Sequence, residues 1–209
     1  MICIIIIIFL IIIRANIQGF TSMPKTFIVI GDSILKNNKY VGQDKSIEFL
    51  LSKHMESTNN KLLFLAEDDS HISDLEKQLS GVAENNKYFI ISTGGNDILY
   101  YVYTQSLNSG IINKIFKNYM QAINTIVNTH KPSRIYLLNL YFPTDISLKP
   151  FHQYINEWNT LLEEYVKSNS LTELIRINDI CNASSDFVDI IEPSEQCSAK
   201  IANKIFSIL

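Results

Sequence analysis

The sequence predicts an α/β domain: a three-layer α/β/α arrangement around a five-stranded, parallel, doubly wound sheet. Two observations carry this expectation. From Met23 onward, short β-branched runs alternate with longer amphipathic segments, the pattern of βαβ units. The chain of 209 residues, 46% hydrophobic and 19% charged, is long enough for one domain with its own core and leaves no room for a second catalytic domain.

In chain order, a strand is expected at Thr26–Ile30, then a helix at Lys45–His54 and a strand at Lys61–Leu65. A helix at Ile72–Leu79 leads to a third strand at Tyr88–Ser92. The helix at Ile111–Thr129 is the most strongly patterned: Ile112, Ile115, Phe116, Met120, Ile123 and Ile126 recur at a spacing that keeps one face buried. Strands at Arg134–Leu140 and Leu174–Ile177 flank a helix at Gln153–Lys167, which carries Trp158 as a core residue, and a last helix is expected near Ser198–Leu209. His54 and His130 close helices, where a positive charge suits the dipole. Right-handed crossovers place helices on both faces of such a sheet, and ligands bind beyond the carboxyl ends of its strands. The loops after Ile30, Leu65, Ser92 and Leu140, and the segment before the last helix, are therefore the places to look for chemistry.

Composition narrows the function classes. Eighteen basic residues against 21 acidic ones give a net charge of -3, with no basic stripe, so nucleic acid is not an expected partner. Cys3, Cys181 and Cys197 form no closed set of pairs and no C-x-x-C spacing, and are read as free thiols. Ile4–Ile13 is an almost unbroken isoleucine run before Arg14, too short to span a bilayer but matching the core of a signal peptide. Two readings compete: residues 1–22 are a leader or anchor, giving a secreted or membrane-associated protein, or translation starts at Met23, giving a cytoplasmic one. Asn182-Ala183-Ser184 matches the glycosylation sequon, which matters only for a secreted chain.

Two motifs could carry chemistry. Gly31-Asp32-Ser33 directly follows the first strand, where a helix could begin, and presents Ser33 at the carboxyl edge of the sheet. Gly94-Gly95-Asn96-Asp97 follows the third strand in the same relation, and an asparagine held there can donate its amide to a developing oxyanion. Each alone is an ordinary turn; together, facing one crevice, they favour catalysis. Tyr100, Tyr101 and Tyr103 follow the second motif and could line an acyl or sugar pocket or simply pack.

These motifs, in this order, resemble those of the SGNH/GDSL hydrolases, over most of Met23–Leu209. The resemblance implies a flavodoxin-like SGNH hydrolase fold, Ser33 as nucleophile, Asn96 as oxyanion donor, and Asp32, Gly95 and Asp97 beside the substrate. Ala66-Glu67-Asp68-Asp69-Ser70 stands where the family has its second block, with Asp69 at the position of a glycine whose backbone N–H completes the oxyanion hole; the backbone N–H groups of Ser33 and Asp69 would serve here. A carboxylate at that position opposes a forming oxyanion unless it points away or is protonated.

The fifth block departs further. Where the family has Asp-x-x-His-Pro, this chain reads Asp189-Ile190-Ile191-Glu192-Pro193-Ser194, a motif similar to that of an SGNH-like subgroup carrying the same glutamate. Histidine suits a base because its pKa of about 6.5 lies near working pH, whereas glutamate at about 4.3 needs burial or neighbouring carboxylates such as Asp186 and Asp189 to raise it. Glu192, with Asp189, is the expected catalytic partner; His152, in the loop after the fourth strand, and His71, after the second block, are alternative bases. The function that follows is a serine esterase or acylhydrolase, expected as a monomer, acting on a small-molecule, lipid or acetylated-sugar ester. No metal or organic cofactor is implied. The rival is an impaired SGNH-like protein that binds an acylated or carbohydrate ligand. A flavodoxin-like nucleotide-binding module is weaker, because Asp32 occupies what would be the phosphate loop.

Overall fold

A computed structural model of the chain describes residues 24–83 and 87–208. Five parallel strands, β1 (Thr26–Gly31), β2 (Lys61–Phe64), β3 (Lys87–Ser92), β4 (Arg134–Leu138) and β5 (Thr172–Ile175), form one sheet in the order β2-β1-β3-β4-β5. Its helices are α1 (Ile47–Glu56), α2 (Leu75–Gln78), α3 (Gly95–Tyr103), α4 (Ser109–His130), α5 (His152–Ser168) and α6 (Glu195–Phe206). The sheet is buried along β1, where every residue from Thr26 to Gly31 is buried, as expected of a parallel strand covered on both faces. Trp158 is fully buried, so its expected core role holds.

Side-chain bonds end two strands earlier than β-branching suggests. The strand expected to reach Leu140 stops at Leu138, because the Asn159 side chain accepts the Leu140 N–H and donates to the Leu140 carbonyl (2.9 and 2.7 Å). The fifth strand runs from Thr172 to Ile175 rather than over Leu174–Ile177. Asn139 accepts the Ile177 N–H at 2.8 Å and so replaces the ladder there. The helix expected at Ile72–Leu79 divides into a 3-10 turn (Ile72–Asp74) and the short α2. The last helix begins at Glu195, three residues before the expected Ser198, because the Ser194 hydroxyl caps it by accepting the Cys197 N–H.

Elements at the two motif-bearing segments were not expected. Helix α3 starts immediately after Gly94, and a small antiparallel pair, β6 (Phe187–Val188) with β7 (Glu192–Pro193), carries the fifth block. The free-thiol reading is corrected: Cys181 and Cys197 form a disulfide, with Cα atoms 5.5 Å apart and both residues fully buried. Their separation of 16 residues gave no pairing signal, because contact depends on α6 folding back beneath the loop that follows β5. Cys3 and the leader reading fall outside the described residues. Among the described residues, no helix is long and apolar enough to cross a membrane.

Candidate active site

The order β2-β1-β3 makes the chain reverse direction across the sheet between β1 and β3, and it is there that the two motifs meet. Gly31 pairs with Ser92 in the last register position, and the Asp32 N–H donates to the Ser92 carbonyl at 3.0 Å. Gly31 has φ +126, and a Cβ there would lie 1.7 Å from the Ser92 carbonyl oxygen, so only glycine allows this approach. Ser33 sits in a single turn whose N–H groups at Leu35 and Lys36 both reach the Asp32 carbonyl; the helix that could begin there does not continue. Gly94, at φ +104, lies against the Trp158 ring, where a Cβ would come within 2.5 Å of it. The Trp158 contact thereby sets the start of α3 and the position of Asn96.

Ser33 is 7% exposed and its hydroxyl donates to Glu192 Oε1 at 3.2 Å. The second carboxylate oxygen, Oε2, is buried without a hydrogen-bond partner among the described residues. Burial is the main reason the Glu192 carboxyl rises to about 7, against the lowering effect of the Ser33 hydrogen bond and with the aid of the Asp68 and Asp189 charges. Asp189 therefore acts through its charge; it makes no hydrogen bond to Glu192 among the described residues. Asp32, 2% exposed, is also raised to about 7, by burial first, and its Oδ1 accepts bonds from the Ser92 hydroxyl and the Ile34 N–H.

The expected oxyanion donors are Asn96 and the backbone N–H groups of Ser33 and Asp69. The Asn96 amide gives one hydrogen to the Ser70 carbonyl at 2.9 Å, and its second hydrogen has no acceptor among the described residues. The backbone N–H groups of Ser33 and Asp69 have no acceptor among the described residues. Asp69 has φ +61, the left-handed region where glycine carries no penalty, and its side chain is exposed, so the carboxylate reaches solvent. Asp97 accepts the Ile72 N–H at 3.1 Å and sits 3.6 Å from His71 Nδ1, so it fastens the second block to α3 instead of facing Ser33.

Two cavities open from Ser33. An apolar one of about 70 Å³ includes Asp32, Gly95, Ile98, Leu140, Phe151 and Ile155 in its lining. A wider, polar one of about 380 Å³ includes Asp68, Asp69, His71, Tyr100 and Tyr103. Ser33, Asn96 and Glu192 line both. Of the two alternative bases, His71 therefore shares a cavity with Ser33, whereas His152 opens α5, has Nε2 2.9 Å from the Pro143 carbonyl oxygen, and lines neither cavity. His130 closes α4 as expected, but its pKa is lowered by burial and by the Lys87 charge, so it is a weaker partner for the dipole than a charged histidine.

Three supporting residues were not singled out in the sequence. Gln78 accepts the Gly31 N–H and donates to the Gly31 carbonyl and the Ser70 hydroxyl, tying β1 to the second block. Tyr141 donates to the Ile191 carbonyl at 2.6 Å and so holds the segment next to Glu192. Ser92 orients Asp32. Their only sequence signal is a polar group beside apolar neighbours, which does not say what it binds.

No protein-family model and no curated protein matches the chain by sequence. Solved structures do match it. A lipolytic protein of the G-D-S-L family from Veillonella parvula superposes with a TM-score of 0.68 at 17% identity, covering 88% of this chain and 98% of the other. The chain has the SGNH/GDSL hydrolase fold. An acetyl xylan esterase is similar at TM-score 0.69 and 14% identity, covering 88% of this chain and 99% of that one. A psychrotrophic esterase from Pseudoalteromonas sp. follows at 0.64 and 14%, covering 88% and 95%.

Proposed function

We propose that this protein is a serine carboxylic-ester hydrolase in which Glu192, rather than a histidine, is the base. The observation that carries the reading is the Ser33 hydroxyl donating to Glu192 at 3.2 Å at the mouth of an apolar cavity. Ser33 Oγ attacks the ester carbonyl carbon as its proton passes to Glu192. The carbonyl electron pair moves onto oxygen, facing the Asn96 amide and the Ser33 and Asp69 N–H groups. Collapse of that intermediate expels the alcohol, which takes the proton from Glu192, and leaves an acyl-Ser33. Water, deprotonated by Glu192, then releases the acid by the same route. Burial of the carboxylate, whose Oε2 has no partner among the described residues, supports a glutamate basic enough for this role.

The cavity of about 70 Å³ suits a short acyl group, since an apolar cavity of roughly 150 Å³ is what accommodates benzene. The alcohol would then lie in the wider polar cleft. Hydrolysis of p-nitrophenyl acetate, butyrate and laurate by the full chain, with Ser33→Ala and Glu192→Gln beside it, tests the reading. Activity should favour the two short esters, rise through about pH 7 as Glu192 ionises, and fall by roughly 10³-fold or more in both variants. Loss in Ser33→Ala alone would pass the role of base to His71. A folded protein with no turnover of these esters or of acetylated sugars would favour the binding protein, a reading supported by an aspartate, Asp69, lining the cleft beside Ser33.

A further inference from the structure

We infer that Asn182 is an N-glycosylation site and that the chain matures in an oxidising secretory compartment. The inference is independent of the ester-hydrolase reading. Asn182-Ala183-Ser184 is the one N-x-S/T triplet in the sequence. It lies immediately after Cys181, whose disulfide to Cys197 is fully buried. Buried structural disulfides form and persist in oxidising compartments and are rare where thiols are kept reduced. The apolar run Ile4–Ile13 has the length of a signal-peptide core, so a second feature of the sequence points to the same compartment.

The local structure presents the triplet outward. Asp186 is fully buried, ion-paired to Lys200 at 2.6 Å, and its Oδ2 accepts the N–H groups of Asn182 and Ala183 at 3.0 and 2.9 Å. That carboxylate holds the backbone inward while Asn182, Ala183, Ser184 and Ser185 are all exposed. Among the described residues the Asn182 amide donates to the Asp179 carbonyl at 3.2 Å, and its other hydrogen has no acceptor there. A bulky glycan here displaces no core atom, and none of the three triplet residues lines either cavity at Ser33.

In the transfer, Asn182 Nδ2 bonds to the anomeric carbon of an oligosaccharide carried on a polyprenyl diphosphate. One amide proton is lost, and the polyprenyl diphosphate leaves with the electrons of the broken C–O bond. For the disulfide, Cys181 and Cys197 give up two protons and two electrons to a disulfide-bearing oxidoreductase, which becomes a dithiol.

The test is expression of the full chain in a eukaryotic secretory host, with gel mobility read before and after an amidase that removes N-glycans. The expected result is one discrete shift on treatment, absent in Asn182→Gln and in Ser184→Ala, both of which keep the wild-type circular-dichroism spectrum and a linked Cys181–Cys197 peptide under non-reducing mass spectrometry. A full chain whose mobility is unchanged by the amidase overturns the proposal. So does a chain modified only when a heterologous leader is placed ahead of it, because its own N-terminal segment would then not deliver it to that compartment.

Discussion

Glu192 and Asp32 flank Ser33, and both carboxyls are held near pH 7 chiefly because burial disfavours their charge. The cost appears in stability as well as in catalysis. A carboxyl whose folded-state pKa lies above its unfolded value binds protons more readily in the native state. Its stabilising contribution is complete below about pH 4.5 and is lost as pH rises through about 7. Glu192→Gln removes that loss at one site. In urea denaturation it should therefore gain on the wild type by about 2–3 kcal/mol between pH 5 and pH 8. An equal difference at both pH values would remove the pKa argument. Asp69 belongs to the same scale. Its left-handed backbone costs about 1 kcal/mol that glycine would not incur, and the residue lines the cleft that Ser33 and Asn96 also line, so its charge acts across that cleft. Asp69→Gly should be more stable by about that amount and raise kcat roughly 3- to 10-fold with little change in KM. Unchanged kcat would mean that the carboxylate is screened by solvent.

Among the elements, the turn joining β6 and β7 holds two consecutive non-glycine residues in the left-handed region. Asp189 and Ile190 both adopt positive φ, at 42° and 73°, and the β-branched Ile190 is 57% exposed. Its side chain thus gains little from burial while its backbone sits where asparagine is better tolerated. Ile190→Asn should stabilise the protein by about 0.5–1 kcal/mol in thermal or urea unfolding without loss of ester turnover. If turnover falls, the isoleucine is holding Glu192 in position. That segment is otherwise pinned by the Tyr141 hydroxyl on the Ile191 carbonyl and by the Asn37 amide, which donates to the Pro193 carbonyl at 3.2 Å.

At the scale of the molecule, the Cys181–Cys197 bond closes the loop that carries the fifth block, so Glu192 sits in a segment anchored at both ends by one cross-link. A closed loop of this length restricts the unfolded chain by about 3 kcal/mol. Replacing both cysteines with alanine should lower Tm by roughly 6–12 °C for a domain of this size. Scanning calorimetry of the oxidised protein beside the double variant measures it. No change in Tm would place the cross-link outside the cooperative unit. Since Glu192 lies within the loop, the same variant should lose activity at temperatures where its fold persists.

Legibility followed sequence range. The parallel sheet and the chain order of its strands and helices were readable because β-branched runs, amphipathic spacing and glycine-containing turns act within a few residues of themselves, and the shared crevice of Ser33 and Asn96 followed because a parallel sheet gathers the loops after its strands at one edge. Glu192 could be placed opposite Ser33 only through the family resemblance, since 159 residues separate the two hydrogen-bonded side chains. Other features had no local signal at all. Gln78 clamps Gly31 across 47 residues, and Asn159 ends a strand 19 residues away. The disulfide joins two cysteines whose spacing alone suggested free thiols. In each case a polar group or sulfur is satisfied by whatever the packed layers bring beside it. The sequence by itself determined which segments form strands and helices and which loops carry reactive groups; only the tertiary structure decided the partners, because burial and distance are properties of the assembled layers.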